Sequence, residues 1–154
     1  MLLIGLLPVQ AASFHYSGPH FTNVTFPYAS DDSVSGSFSL SAPLEPNRPA
    51  SPITPSSFSF SDGIQILTNL NSTILAFEIS TDASGNIEWW VIQLVANSCL
   101  SEGACGIVTV HTLVSGDGGQ IIVSIATTVQ GYVKDDPGVW TGDTTPNGPP
   151  SVWP

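Results

Sequence analysis

Trp89 and Trp90 are the residues of this chain best equipped to recognise another molecule. An indole offers a broad apolar face with one polar edge, and it stacks on aromatic and other ring surfaces. The pair lies in an alternating stretch, Ile87 to Ala96, where neighbouring side chains point to opposite faces of a strand. One of the two is therefore expected in the core. The other is expected on an outer face near Glu88 and Gln93, free to stack on a sugar ring or to cover a neighbouring segment.

Carboxylates are the next candidates. Hydrolysis of a glycosidic bond needs two acids about 5–10 Å apart in a cleft. Glu78 and Glu88 are the acids within strong strand patterns. Counted outward from the Asp82–Asn86 turn, they are near-neighbours across a hairpin, expected to be solvated on one outward face. Acidic turns form a second group, containing Asp31, Asp32, Asp82, Asp117 and Asp135. Each sets carboxylate oxygens beside flexible backbone, and calcium takes six to eight such oxygens. No segment has the D-x-[DN]-x-[DN]-G spacing of a calcium loop, and turns select Asp and Gly for their own geometry. Calcium is thus a possible ligand, and no cofactor is required.

His15, His20 and His111 are dispersed, and a three-histidine metal site would need the fold to gather them. The motifs G-x-S-x-G, H-E-x-x-H and G-x-G-x-x-G and the phosphate-binding loop are all missing from the sequence. A Ser/His/Asp triad is defined by geometry and not by composition. The chain reads as non-enzymatic. Cys99 and Cys105 enclose five residues and are expected to form a disulfide.

Charge narrows the partners. Arg48 and Lys134 face twelve acids, for a net charge of −10. Binding to phosphate backbones or anionic headgroups relies on clustered Lys and Arg, so the charge argues against nucleic acid and acidic lipid as partners. Charged residues make up 9% of the chain, against roughly 25% in soluble domains. Ser, Thr, Asn and Gly solvate it instead, as suits exposed strand faces.

The elements that must position these residues are strands. Val34, Gly36, Phe38, Leu40 and Ala42 alternate with serines from Ser33 to Ser41, and Ser57-Phe58-Ser59-Phe60 repeats the pattern before an Asp62-Gly63 turn. Thr73 to Thr81, with Leu75, Phe77 and Ile79 on one face, forms a hairpin with Ile87 to Ala96. A second hairpin is expected from Ile107–Val114 and Ile121–Val133, turning at Ser115 to Gln120. Shorter strands fall near Phe14–Tyr16, Phe21–Thr25 and Val139–Thr141. About seven to nine short strands at this spacing predict an all-β antiparallel sandwich, jelly-roll-like in arrangement.

Three segments flank or interrupt this domain. Residues 1–12 read as a signal peptide, with an apolar core too short to span a bilayer and small residues at the cleavage point. The domain covers 13–142, and residues 143–154 read as a disordered tail. Within the domain, Pro43, Pro46, Pro49, Pro52 and Pro55 recur every third residue. In polyproline II that period makes a stiff connector about 37 Å long. No later stretch is long and apolar enough for a membrane helix. The protein is expected to be exported, and so extracellular, periplasmic or on the cell surface.

One further reading comes from the motif string as a whole. It runs Phe14-x-Tyr16-x-Gly18-x-x-Phe21, Val34-x-Gly36-Ser37-Phe38-x-Leu40, Pro43-Leu44-x-Pro46-Asn47 and Ser57-Phe58-x-Phe60-Ser61-Asp62-Gly63. Ser80-Thr81-Asp82-Ala83-x-Gly85-x-Ile87-x-x-Trp90 and Pro137-Gly138-x-Trp140-Thr141 complete it. It resembles the exported β-domains of bacterial proteins that carry a PEP-CTERM sorting tail. The resemblance covers about residues 14–141 and rests on turns and core aromatics. It implies a Gram-negative exported domain associated with extracellular polysaccharide matrix, with no established activity. The Pro-Glu-Pro motif of that tail is not among these residues. Function thus narrows to a non-enzymatic matrix domain, with a carbohydrate-binding module using an exposed Trp as the alternative and a hydrolase behind both.

Overall fold

The computed structural model describes residues 11–100, 104–111, 116–123 and 126–142. Met1 to Gln10 and Asp143 to Pro154, which carry most of the leader and the whole tail read above, lie outside the described residues. Among the described residues every regular element is a strand: β1 (Ala12–His20), β2 (Asn23–Val24), β3 (Ser33–Leu40), β4 (Ser51–Pro52), β5 (Ser57–Ser61) and β6 (Ile66–Thr68), then β7 (Ser72–Thr81), β8 (Ile87–Ala96), β9 (Ala104–His111), β10 (Gly116–Val123), β11 (Ala126–Lys134) and β12 (Val139–Gly142). They form two antiparallel sheets, ordered β12-β1-β3-β5-β6 and β2-β11-β10-β9-β8-β7-β4, packed as a sandwich. First and last strands lie side by side, as in a jelly roll, whereas β7 to β11 run as an unbroken meander. Ala12 is buried and pairs with Leu40, so the folded domain includes one residue assigned above to the leader.

Alternation explains the smaller sheet. Phe14, Tyr16, Phe38, Phe58 and Phe60 are buried inward. Their serine neighbours face out in register, Ser13 opposite Ser39, Ser17 opposite Ser35, and Ser37 opposite Ser59. The core between the sheets is aromatic. Phe14 stacks on Phe38 at 4.8 Å, and Phe38 meets Phe77 of the larger sheet edge-on at 5.1 Å. Burying each such ring stabilises the fold by about 2–3 kcal/mol.

Three expectations need correction. The Gly-Asp-Gly-Gly run is no hairpin turn: residues 116–119 lie within β10, pairing with Val110 to Ile107 on one side and Lys134 to Gly131 on the other. Sequence marks these residues as turn formers, yet Gly116 sits where a Cβ would come within 2.6 Å of the Val133 carbonyl oxygen. A Cβ on Gly18, facing this run from β1, would come within 2.0 Å of the Asp117 carboxylate. Second, Leu75 does not join Phe77 and Ile79 in the core. It is the extra residue of a β-bulge between Ile74 and Ala76, and it stands 58% exposed. Third, the proline connector is not one straight rod. Asn47 takes a φ of 56°, and β4 pairs along the edge of β7, with Ser51 opposite Ile79 and Pro52 opposite Glu78. An edge strand tolerates proline because its outward side needs no amide donor.

Candidate functional site

The meander places the two tryptophans on opposite faces. Trp90 is core, 3% exposed, and its Nε1 donates to Thr109 Oγ1 at 2.9 Å. His111 lies against its ring at 4.7 Å, Tyr16 at 5.6 Å and Trp140 at 5.9 Å. Trp90 therefore presents no face to a ligand. The signal was present in the sequence: Ile92 and Leu94 share its parity, whereas Gln93 shares that of Trp89.

Trp89 is half-buried on the outer face of the larger sheet, opposite Ser80 in β7. Beside it the ladder is irregular. Ser80 pairs with Trp89 but Thr81 pairs with Ile87, which makes Glu88 the extra residue of a second bulge. In a regular strand Glu88 and Trp89 would point to opposite faces. A bulge re-aims side chains, and here both residues line one open cleft of about 570 Å³.

The connector forms the other wall, with Asn47, Arg48, Pro49 and Ala50. It is tied down at several points. Asn47 N–H donates to the Asp82 carbonyl at 2.8 Å, Arg48 N–H to Thr81 Oγ1 at 3.0 Å, and Thr81 N–H to the Arg48 carbonyl at 3.1 Å. Arg48 Nη2 donates to the Pro52 carbonyl at 3.1 Å, while its Nε is buried without a partner. Arg48 also lines a second cleft of about 360 Å³, with Leu44, Glu45, Pro52 and Thr54. The two clefts thus share one guanidinium-bearing residue.

Glu78 pairs with Val91, three residues along β8 from Glu88, so the two acids are not cross-strand neighbours as counted from the turn. The bulge supplies the residue that the count omitted. Three strand residues separate positions by about 10 Å, and Glu78 does not line the Trp89 cleft.

The aspartates are scattered and mostly committed to structure. Asp82 accepts from the Ser84 and Asn86 amides at 2.7 and 2.9 Å and from Asn86 Nδ2, which holds its carboxyl below the usual range. Gly85, at φ 84°, closes that turn. Asp32 accepts from Ala29 N–H at 2.8 Å, and Asp31 offers its carbonyl to His20 Nδ1. Asp135 is exposed at φ 60° between β11 and β12. Asp117 is buried in the core, where Tyr16 O–H reaches its two oxygens at 2.8 and 2.9 Å. His15 stands on the serine face, remote from His111 beneath Trp90. Among the described residues, no three His, Cys, Asp or Glu side chains converge as metal ligands would.

Two buried tyrosine–carboxylate pairs were not foreseen. Besides Tyr16–Asp117, Tyr28 O–H donates to Asp62 Oδ2 at 2.5 Å. Asp62 also accepts from the Ile64 and Gln65 amides and from Gln65 Nε2. Burial first, then the adjoining carboxylates, pushes both tyrosine hydroxyls far above their ordinary range. Both pairs are closed to solvent and have no catalytic access. Cys99 and Cys105 are bonded, with Cα atoms 4.5 Å apart.

Compared with known proteins, the chain matches no family model, no curated protein and no solved structure. The site must be read from its own geometry.

Proposed function

We propose that this chain is a non-enzymatic exported domain that holds extracellular polysaccharide in the cleft beside Trp89. One observation carries the reading: the Glu88 bulge sets an indole face, a carboxylate and Arg48 around a single open cleft. Stacking on the indole supplies apolar contact, and the polar groups fix hydroxyl orientation, the usual division of labour in a ligand site. Among the described residues, Glu88 is the one acid lining that cleft, whereas paired-carboxylate hydrolysis requires two. The resemblance to exported matrix-associated β-domains supports the same compartment and ligand class.

Affinity electrophoresis against a panel of soluble neutral and acidic polysaccharides tests the proposal. The wild type should be retarded by at least one of them, and Trp89→Ala should lose most of that retardation while still melting cooperatively. Retardation that survives Trp89→Ala would move the site elsewhere. No retardation by any member would defeat the reading.

A further inference from the structure

We propose that the Trp89 cleft takes an acidic polysaccharide, with a uronate carboxylate on Arg48 while a neighbouring ring stacks on Trp89. This deepens the sugar-binding reading and rests on it. The chain has two basic residues among twelve acids, and one of them is placed in this cleft. Arg48 is also held in place. Its backbone is anchored to Thr81, and the Nη2 bond to the Pro52 carbonyl restricts the side chain before any ligand arrives.

The charge of Arg48 is incompletely answered. Its hydrogen-bonded partner, the Pro52 carbonyl, is neutral, and the buried Nε has no protein acceptor among the described residues. A cation desolvated on one edge gains more from an anion at its open edge than a fully hydrated one does. Guanidinium and carboxylate geometries match, and such charge-assisted hydrogen bonds are about twice as strong as neutral ones. Because Arg48 lines both clefts, a chain crossing the connector would pass it between one ring beside Trp89 and another beside Leu44 and Thr54.

The net charge of −10 opposes any polyanion. That repulsion is screened beyond about 8 Å at physiological salt, whereas the Arg48 contact is short-range. Of the nearby acids, Glu88 lines the first cleft and Glu45 the second. Both are suited to accept from ring hydroxyls, which a uronate offers beside its carboxylate.

The test is calorimetric titration of the full chain with polygalacturonate and with its fully methyl-esterified form, at physiological salt with a chelator present. Esterification removes the charge and keeps the ring. The wild type should bind the acid form at least tenfold more tightly. Arg48→Gln should erase that preference, Arg48→Lys should keep a weaker one, and Trp89→Ala should weaken both forms together. Equal or tighter binding of the ester would overturn the role of Arg48 and leave the sugar cleft standing. So would an acid preference that survives Arg48→Gln. Should Arg48→Gln fail to melt cooperatively, Arg48→Lys decides, since loss of fork geometry with charge retained must still favour the acid. Failure to bind either form, or any neutral polysaccharide, would defeat both readings.

Discussion

Trp89 and Trp90 are adjacent in sequence and occupy opposite kinds of environment. Around Trp90 the interior is closed: its Nε1 is bonded to Thr109, and His111, Tyr16 and Trp140 surround the ring. Around Trp89 the surface is open, bounded by a bulge on one side and a pinned connector on the other. Inside, the Trp90 indole and the Asp117 carboxylate are each hydrogen-bonded, although His111 Nδ1 and Trp140 Nε1, like Arg48 Nε, are buried without a partner among the described residues. In the cleft, Arg48 and Glu88 lie around the opening. The contrast separates residues that hold the fold from residues left available for a ligand, even where they are covalent neighbours.

Four measurements press on that contrast. The largest effect is expected at Trp90. Trp90→Ala removes a buried ring and the donor to Thr109 Oγ1, and should lower unfolding free energy by about 3–5 kcal/mol in denaturant melts. A loss below about 1 kcal/mol would mean the interior is less closed than its geometry indicates.

Next comes Asp117, the buried acid in the same interior. Burial raises its carboxyl from 3.8 to about 6; hydrogen bonds from Thr109 and Tyr16 pull it down, and the negative charge of Asp136 adds to the rise. The native state therefore binds this proton more tightly than the unfolded chain. The stabilisation is complete below the unfolded value and is lost as pH rises through the folded one, a change of roughly 3 kcal/mol at about 1.4 kcal/mol per pK unit. Asp117→Asn cannot titrate. Its stability relative to wild type should improve by up to that amount between pH 4 and pH 7, and parallel profiles would show that Asp117 is not the responsible group.

Trp89→Ala should cost only about 1–2 kcal/mol, because the ring is only partly buried, while abolishing polysaccharide retention. A penalty as large as that of Trp90→Ala would make Trp89 a structural support for the connector, and the comparison would collapse. Smallest of all is Glu88→Ala. An exposed substitution of this kind shifts stability by less than about 0.5 kcal/mol, yet it should weaken polysaccharide binding measurably. Unchanged binding would remove the carboxylate from the site.

Much of the architecture was legible in the residues. Alternation of Phe and Ser through β3 and β5 determined which face of the smaller sheet is buried, because a period of two leaves one choice of side. Cys99 and Cys105, enclosing a short polar loop, were expected to form the bridge that the structure contains. The Asp82–Asn86 turn was readable because Asp side chains bond their own backbone two residues on. That one tryptophan would be inward and one outward followed from strand geometry alone.

What the tertiary structure alone decided has a common cause. The bulges at Leu75 and Glu88 add a residue to one strand without any Gly or Pro to announce it, and they moved Leu75 out of the core and Glu88 beside Trp89. Asp117 carries the local chemistry of a turn, yet it lies in a strand because Gly18 and Tyr16, about a hundred residues earlier in the chain, make room and a hydrogen-bond donor for it. Arg48 sits in a proline-rich run whose period suggests a rod, but edge pairing with β7 bends that run into the wall of a cleft. Local sequence dictates which residues form strands and which side each prefers. Register, bulges and the partners of buried charge depend on contacts between distant segments, and those exist only once the two sheets have closed on each other.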